Sequence, residues 1–150
     1  MVCPCVLAGD HFERHALARP DELAPLRTAI WRHALALGAS AEVGAAIRLA
    51  VGEALTNVVM HAYVGTEPGT MTVEAWLDDD DHLTVRVLDE GHGLIPRPDS
   101  PGLGLGMGVM AQMADDFRVA NREGTLGTTV SLRFSLAQSG LPTPCGGAVA

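Results

Sequence analysis

The feature that most constrains this chain is a long apolar segment running from Ser40 to Tyr63. Ser40, followed by Glu42, has the character of a helix start, and Val43, Ile47, Val51, Leu55 and Val58 recur at the three- and four-residue spacing of one helical face. The segment reads as a core helix, yet Glu53, Asn57 and His61 follow one another at intervals of four and form a polar line along it. Val51, Leu55, Val58 and Val59 point elsewhere, into the packing. An isolated Glu-x-x-x-Asn pair is compatible with an ordinary solvated helix face, so a purpose for the line has to come from the rest of the chain.

On either side the pattern changes period. Residues 12–19 suit a short strand, and Pro20 and Asp21 give a turn and an acidic start to an amphipathic helix carrying Leu23, Leu26, Ile30, Leu35 and Leu37, which Gly38 ends. Gly65 and Gly69 break the chain after the core helix. Runs at 70–77 and 83–88 read as a hairpin across the acidic turn 78–81, and 90–108 is rich in Gly and Pro, as a loop would be. A short helix is expected at 109–115, followed by strands at 117–121 and 128–136. The expected organisation is an N-terminal extension over 1–11, one domain over 12–136 and, by its Gly, Pro, Ala and Ser content, a disordered tail over 137–150. This order predicts an α/β sandwich with helices on one face of a mostly antiparallel sheet.

Composition removes several function classes. A chain of 150 residues can bury roughly two-thirds of its unfolded surface as one domain without a disulfide or metal staple. All ten basic residues are Arg, and the absence of Lys excludes a Walker A loop and the strand Lys of eukaryotic-type kinases. A formal net charge of −8 argues against a nucleic-acid partner, and the acidic run 78–81 reads as a solvated turn. Cys3, Cys5 and Cys145 lack zinc-site spacing and read as reduced thiols. The apolar start has neither the flanks of a signal peptide nor the length of a membrane span, so a cytoplasmic protein with no membrane partner is expected.

Three further stretches bear on chemistry. In "VRVLDEGHGL" a β-type run ends at Asp89 and gives way to Gly91 and Gly93. A carboxylate there can accept from the amine edge of a purine, and the glycines let a flat ring approach the backbone. In "PGLGLGMGVM" the residues Gly102, Gly104, Gly106 and Gly108 precede the expected helix, where exposed N–H groups and the helix field favour anions. The spacing does not allow a G-x-G-x-x-G fingerprint, so a Rossmann site is excluded. "GTTV" opens the last strand with two hydroxyls, Thr128 and Thr129.

In this order the four features resemble the Bergerat (GHKL) ATPase fold shared by gyrase, histidine-kinase catalytic domains and the anti-sigma-factor serine kinases, over roughly residues 12–134. "EALTNVVMHAY" is most similar to the anti-sigma-factor kinases. Histidine kinases usually carry Asn at the position of Glu53 and a Lys near the helix end, and no phosphoacceptor helical hairpin is visible around His11, His15 or His33. The resemblance implies a two-layer sandwich with a mixed, mostly antiparallel sheet. It implies that Asn57 ligates Mg²⁺, that Glu53 is the general base toward a serine hydroxyl, and that Asp89 binds the adenine amine with Gly91, Gly93 and Thr128 or Thr129. Gly102, Gly104 and Gly106 would wrap the phosphates of ATP, and Arg97 is the charged donor of the short lid "LIPRPDSP". His61 matches a family position without a defined role.

The partners so implied are a sigma factor, a STAS-domain antagonist that is phosphorylated, and a second copy paired through residues 12–17. Two alternatives stay open: a switch kinase of a stress-signalling complex, and a module that holds nucleotide and sequesters a partner without phosphoryl transfer. Glu53 favours an enzyme, whereas the short lid favours the module.

Overall fold

In a computed structural model the structure describes residues 11–92 and 103–136. Five strands, β1 (His11–Leu17), β2 (Thr70–Leu77), β3 (His82–Asp89), β4 (Asp116–Asn121) and β5 (Thr128–Ser135), form one sheet in the order β1-β2-β3-β5-β4. Every pairing is antiparallel, so among the described residues the admixture of parallel strands implied by the resemblance is not found. Three helices, α1 (Leu23–Ala36), α2 (Ala41–Asn57) and α3 (Leu103–Met113), cover one face.

Strand alternation decides which face is covered. Met71, Val73 and Ala75 of β2, Leu83, Val85 and Val87 of β3, and Val130, Leu132 and Phe134 of β5 all turn inward and are buried. They meet Leu26 and Ile30 of α1, Ile47, Val51 and Leu55 of α2, and Met110 of α3. The outward positions carry polar or mixed side chains such as Thr72, Glu74, Arg86 and Ser131. A sheet apolar on one face accepts helices on that face only.

Local chemistry sets the ends of the elements. The Ser40 hydroxyl caps α2 by accepting the Val43 N–H at 3.1 Å, and Gly38, at a φ of +100°, turns the chain out of α1. By length and composition 41–62 is apolar enough to cross a membrane, and here it is the central core helix. The acidic turn is less free than a solvated run. Asp78 accepts from the N–H groups of Asp80 and His82, and Arg133 reaches across to Asp78 at 2.7 Å and Asp80 at 3.1 Å. The Arg133 bond, with the two N–H donors, holds the Asp78 carboxyl down at about 2.

The largest departure from expectation is α3. The glycine repeat was expected to precede a short helix at 109–115, but the helix begins at Leu103 and includes Gly104, Gly106 and Gly108. Met107, Met110 and Ala114, spaced by three and four, pack against the core and carry the helix back through the glycines. Tertiary packing has overridden a weak local propensity.

Candidate functional site

Asn57 and His61 line a small cavity of about 50 Å³ together with Asp89, Thr128, Met107 and Met110. Asn57 ends α2 and His61 lies in the turn of helix that continues it. Four residues overshoot one turn of an α-helix, so a line at intervals of four drifts around the axis. After Asn57 the helix widens into a π turn, Val58–Ala62, in which four residues fall short of a full turn. The two drifts are of opposite sense, so His61 turns back toward the line of Glu53 rather than drifting a second step past Asn57.

Glu53 lies one turn before Asn57 and lines a different space. This is an open groove of about 520 Å³ between α1 and α2, bordered also by Arg27, Trp31, Arg48 and Thr56. Gly106 of α3 lies against both Glu53 and Asn57. A Cβ on it would lie 3.1 Å from Glu53 Oε2, 3.5 Å from Asn57 Nδ2 and 3.6 Å from Asn57 Oδ1. The glycine therefore lets α3 close directly over both polar side chains.

Asp89, also in the cavity lining, terminates β3 and is only 5% exposed. The N–H of Gly91 donates to Asp89 Oδ1 at 2.9 Å, and the Thr128 N–H also donates to the carboxylate. Burial pushes the carboxyl above its ordinary value, while those two bonds and the nearby Arg122 guanidinium oppose the rise. Two donors do not exhaust an ionised carboxylate, which has about four lone-pair sites. An acceptor is thus held in an apolar slot, as recognition of a ligand's N–H requires.

The glycines act differently from the reason first given for them. A Cβ at Gly91 would overlap the carbonyl oxygen of Ala62, so this glycine admits the helix end rather than a ligand ring. Gly127, at a φ of +125°, similarly makes room for the backbone of Asp89. Of the two hydroxyls, Thr128 lines the cavity, whereas Thr129 pairs with Leu88 and Ala120 and, by alternation, faces the opposite side of the sheet. The structure does not bring Thr129 to the site. Gly104 lies in α3 rather than in a loop before it, and Gly93, Arg97 and Gly102 fall outside the described residues. Sequence reasoning missed the apolar walls, Met107, Met110, Val119 and Val130. The inward alternation of β4 and β5 was the signal for the last two.

The residues suit a nucleotide in kind, with apolar walls, a carboxylate acceptor and a carboxamide. The cavity is well below the roughly 300–1,000 Å³ usual for ligand sites, so a bound nucleotide requires Met107 and Met110 to move, which unbranched thioether chains do readily. No group of three or more His, Cys, Asp or Glu side chains placed to hold a metal ion occurs among the described residues. Asn57 fits Mg²⁺ as one ligand of a shell completed by phosphate oxygens and water.

The antiparallel sheet, the helices on one face and the cavity between them define a two-layer sandwich of the Bergerat ATPase type. The sequence matches the family model described as histidine kinase-like ATPase domain over residues 16–134. It is 31% identical over 102 residues to the anti-sigma F factor of Clostridium acetobutylicum, which spans 61% of this chain and 69% of that protein. It is 40% identical over 74 residues to the serine-protein kinase RsbW of Listeria monocytogenes, covering 49% and 46% of the two chains. A solved structure of RsbU and RsbW domains from Mycobacterium tuberculosis superposes with a TM-score of 0.65 at 21% identity, and so speaks for the fold alone; the match covers 83% of this chain and 31% of that one. A blue-light-activated histidine kinase domain from Erythrobacter litoralis gives 0.56 at 26% identity, covering 75% and 62%. This chain thus spans less than two-thirds of either solved chain. It belongs to the histidine kinase-like ATPase family, with the anti-sigma-factor serine kinases as its relatives.

Proposed function

We propose that this protein is an ATP-dependent protein-serine kinase that binds a sigma factor and phosphorylates a STAS-type antagonist in a cytoplasmic partner-switching system. The observation that carries the reading is the division of one helix face between two spaces. Asn57 lines the small cavity together with Asp89, Glu53 lines the larger groove, and Gly106 lies against both side chains. A kinase needs a nucleotide on one side and an exposed hydroxyl on the other, with a base at the boundary.

In this reading Asp89 accepts the adenine amine, Thr128 supports it, and Asn57 holds Mg²⁺ against the phosphates. The metal, when bound, would offset the charge on the phosphate oxygens. Glu53 takes the proton of a serine presented from the groove, and the segment around Gly102, Gly104 and Gly106 covers the phosphates. Arg97 stabilises charge as it develops. Pairing of two copies along β1, an edge strand of the sheet, gives a homodimer. A mass measurement by light scattering tests this last point, and a monomer at high micromolar concentration rejects it.

One observation favours the second reading, a module that holds nucleotide and sequesters a partner without transfer. The cavity is small, and α3 packs directly on Glu53. Labelled ATP incubated with the protein and a candidate STAS protein separates the two. Slow hydrolysis alone, with serine labelling of the STAS protein, supports the kinase. Tight ATP binding with no transfer to any candidate supports the module.

A further inference from the structure

Tyr63 closes the π turn and does not line the cavity, yet its hydroxyl sits at the junction of three elements. It donates to the carbonyl of Thr70, the first residue of β2, at 2.6 Å, and it accepts the N–H of Glu90, the residue after Asp89, at 2.8 Å. The phenol therefore ties the end of the core helix to the start of one strand and the exit of the next.

The surrounding chain is built to admit it. A Cβ at Gly69 would overlap the Tyr63 ring, so the glycine leaves the space the ring fills. Burial raises the phenol above its usual value, which keeps the proton needed to donate and accept at once. Two residues further along, the His92 N–H donates to the Ala62 carbonyl at 3.0 Å, and Gly91 abuts the same carbonyl. The turn after Asp89 is thus fixed from the helix side at residues 90 and 92, while the carboxylate is fixed by the N–H groups of Gly91 and Thr128.

We infer that Tyr63 is a positioning residue for base recognition: by holding residues 89–92 to the helix end, its hydroxyl fixes the direction of the Asp89 carboxylate and so the selection of adenine over guanine. This rests on the nucleotide reading above and extends it to a side chain outside the cavity. Adenine offers an amine where guanine offers a carbonyl oxygen, so a fixed carboxylate accepts from the first and repels the second. A carboxylate free to turn loses part of the bond to adenine and can accept from a guanine N–H instead.

The test compares four variants of the full chain. Tyr63→Phe keeps the ring and removes both hydrogen bonds. It is expected to weaken ATP binding about tenfold, to lower the ATP-to-GTP preference by a similar factor and to speed amide exchange at Glu90. Transfer at saturating ATP is expected to stay unchanged. Gly69→Ala displaces the ring by a separate route and is expected to lower the same preference. Leu26→Ala, a core truncation in α1, is expected to cost stability and leave the preference intact. Asp89→Asn reports on the underlying reading. If it binds ATP as tightly as the parent, base recognition by Asp89 fails and the role of Tyr63 falls with it. If Asp89→Asn loses ATP while Tyr63→Phe keeps both affinity and preference, or if Leu26→Ala shifts the preference as much as Tyr63→Phe does, the inference on Tyr63 alone is overturned.

Discussion

Helices α2 and α3 cover neighbouring parts of the same sheet and are built in opposite ways. In α2 the side chains of Ile47, Val51 and Leu55 are fully buried, the first turn is capped by Ser40, and Gly44 lets α1 close tightly against it. In α3 three of eleven residues are glycine, each costing about 1 kcal/mol of helix stability relative to Ala, and its inward contacts come from methionines. One helix is a rigid floor that holds Asn57 and, beside it, Glu53. The other is an adaptable roof, and a cavity this small needs such a roof if it is to open for a ligand.

The largest expected effect tests whether the chemistry belongs to the floor alone. Glu53→Gln removes a proton acceptor and keeps the shape, so phosphoryl transfer to a STAS protein is expected to fall by about 10²–10⁴ while ATP affinity holds within about twofold. Met107→Leu alters only the roof and is expected to change ATP affinity with little effect on transfer at saturation. Rates and affinities measured on both variants decide the matter. Equal losses of rate would end the division of labour.

Next in size is stability. Leu55→Ala opens a cavity in the floor and is expected to cost about 2–5 kcal/mol by urea unfolding. Met107 is half-buried, so Met107→Ala is expected to cost less than about 2 kcal/mol. If the two midpoints shift equally, α3 is as structural as α2.

A third effect depends on pH, because Asp89 lies where floor, roof and sheet meet. Its carboxyl is raised by burial. The stability it contributes is therefore fully present below the ordinary carboxylate range and is lost as pH rises through the raised value. In the proposed site nucleotide binding runs the other way, since the ionised carboxylate is the stronger acceptor for the adenine amine, and affinity is expected to fall as pH drops through that value. Calorimetry as pH is lowered from neutrality toward the ordinary carboxylate range is expected to show this decline in the parent and not in Asp89→Asn, which itself binds ATP more weakly by about 1–3 kcal/mol. A parent whose affinity does not change with pH would place the carboxylate outside the contact.

Much of the floor was legible in the sequence, and little of the roof. Periodicity through Val43, Ile47, Val51 and Leu55 located α2, and period-two alternation located β2, β3 and β5, because burial on one face leaves a regular imprint. The resemblance to the Bergerat ATPases joins Asn57 and Asp89 in one site, since neither the polar line nor the strand end says so alone, and His61 carries no assigned role. The roof has no such imprint. Glycine reads as a loop signal, and the helix start at Leu103 comes from contacts with α2 that no local window contains. Asp89 and Thr128 meet through the pairing of β3 with β5, strands far apart in sequence, and the choice of Thr128 over Thr129 depends on a one-residue register. Tyr63 looked like the last residue of a helix, because both partners of its hydroxyl lie in other elements.

The smallest effect separates two glycines of the roof. At Gly108 a Cβ would meet nothing within 4 Å, so Gly108→Ala adds helix propensity without a clash and is expected to stabilise the protein by about 0.5–1 kcal/mol. A stiffer roof should also open less often, so the association rate for ATP is expected to fall modestly, with dissociation slowed less than association. At Gly106 the same methyl would come 3.1 Å from Glu53 Oε2. The carboxylate must then shift by a few tenths of an ångström, and, in the proposed role of general base, a displaced Glu53 would transfer protons poorly. Gly106→Ala is therefore expected to gain the same helix propensity and still lose transfer activity, whereas Gly108→Ala keeps it. Thermal melts and single-turnover transfer on the two variants make the comparison directly. If both alanines slow transfer alike, stiffness of α3 rather than the position of Glu53 limits the reaction. If neither does, the roof is not in contact with the base when the protein works.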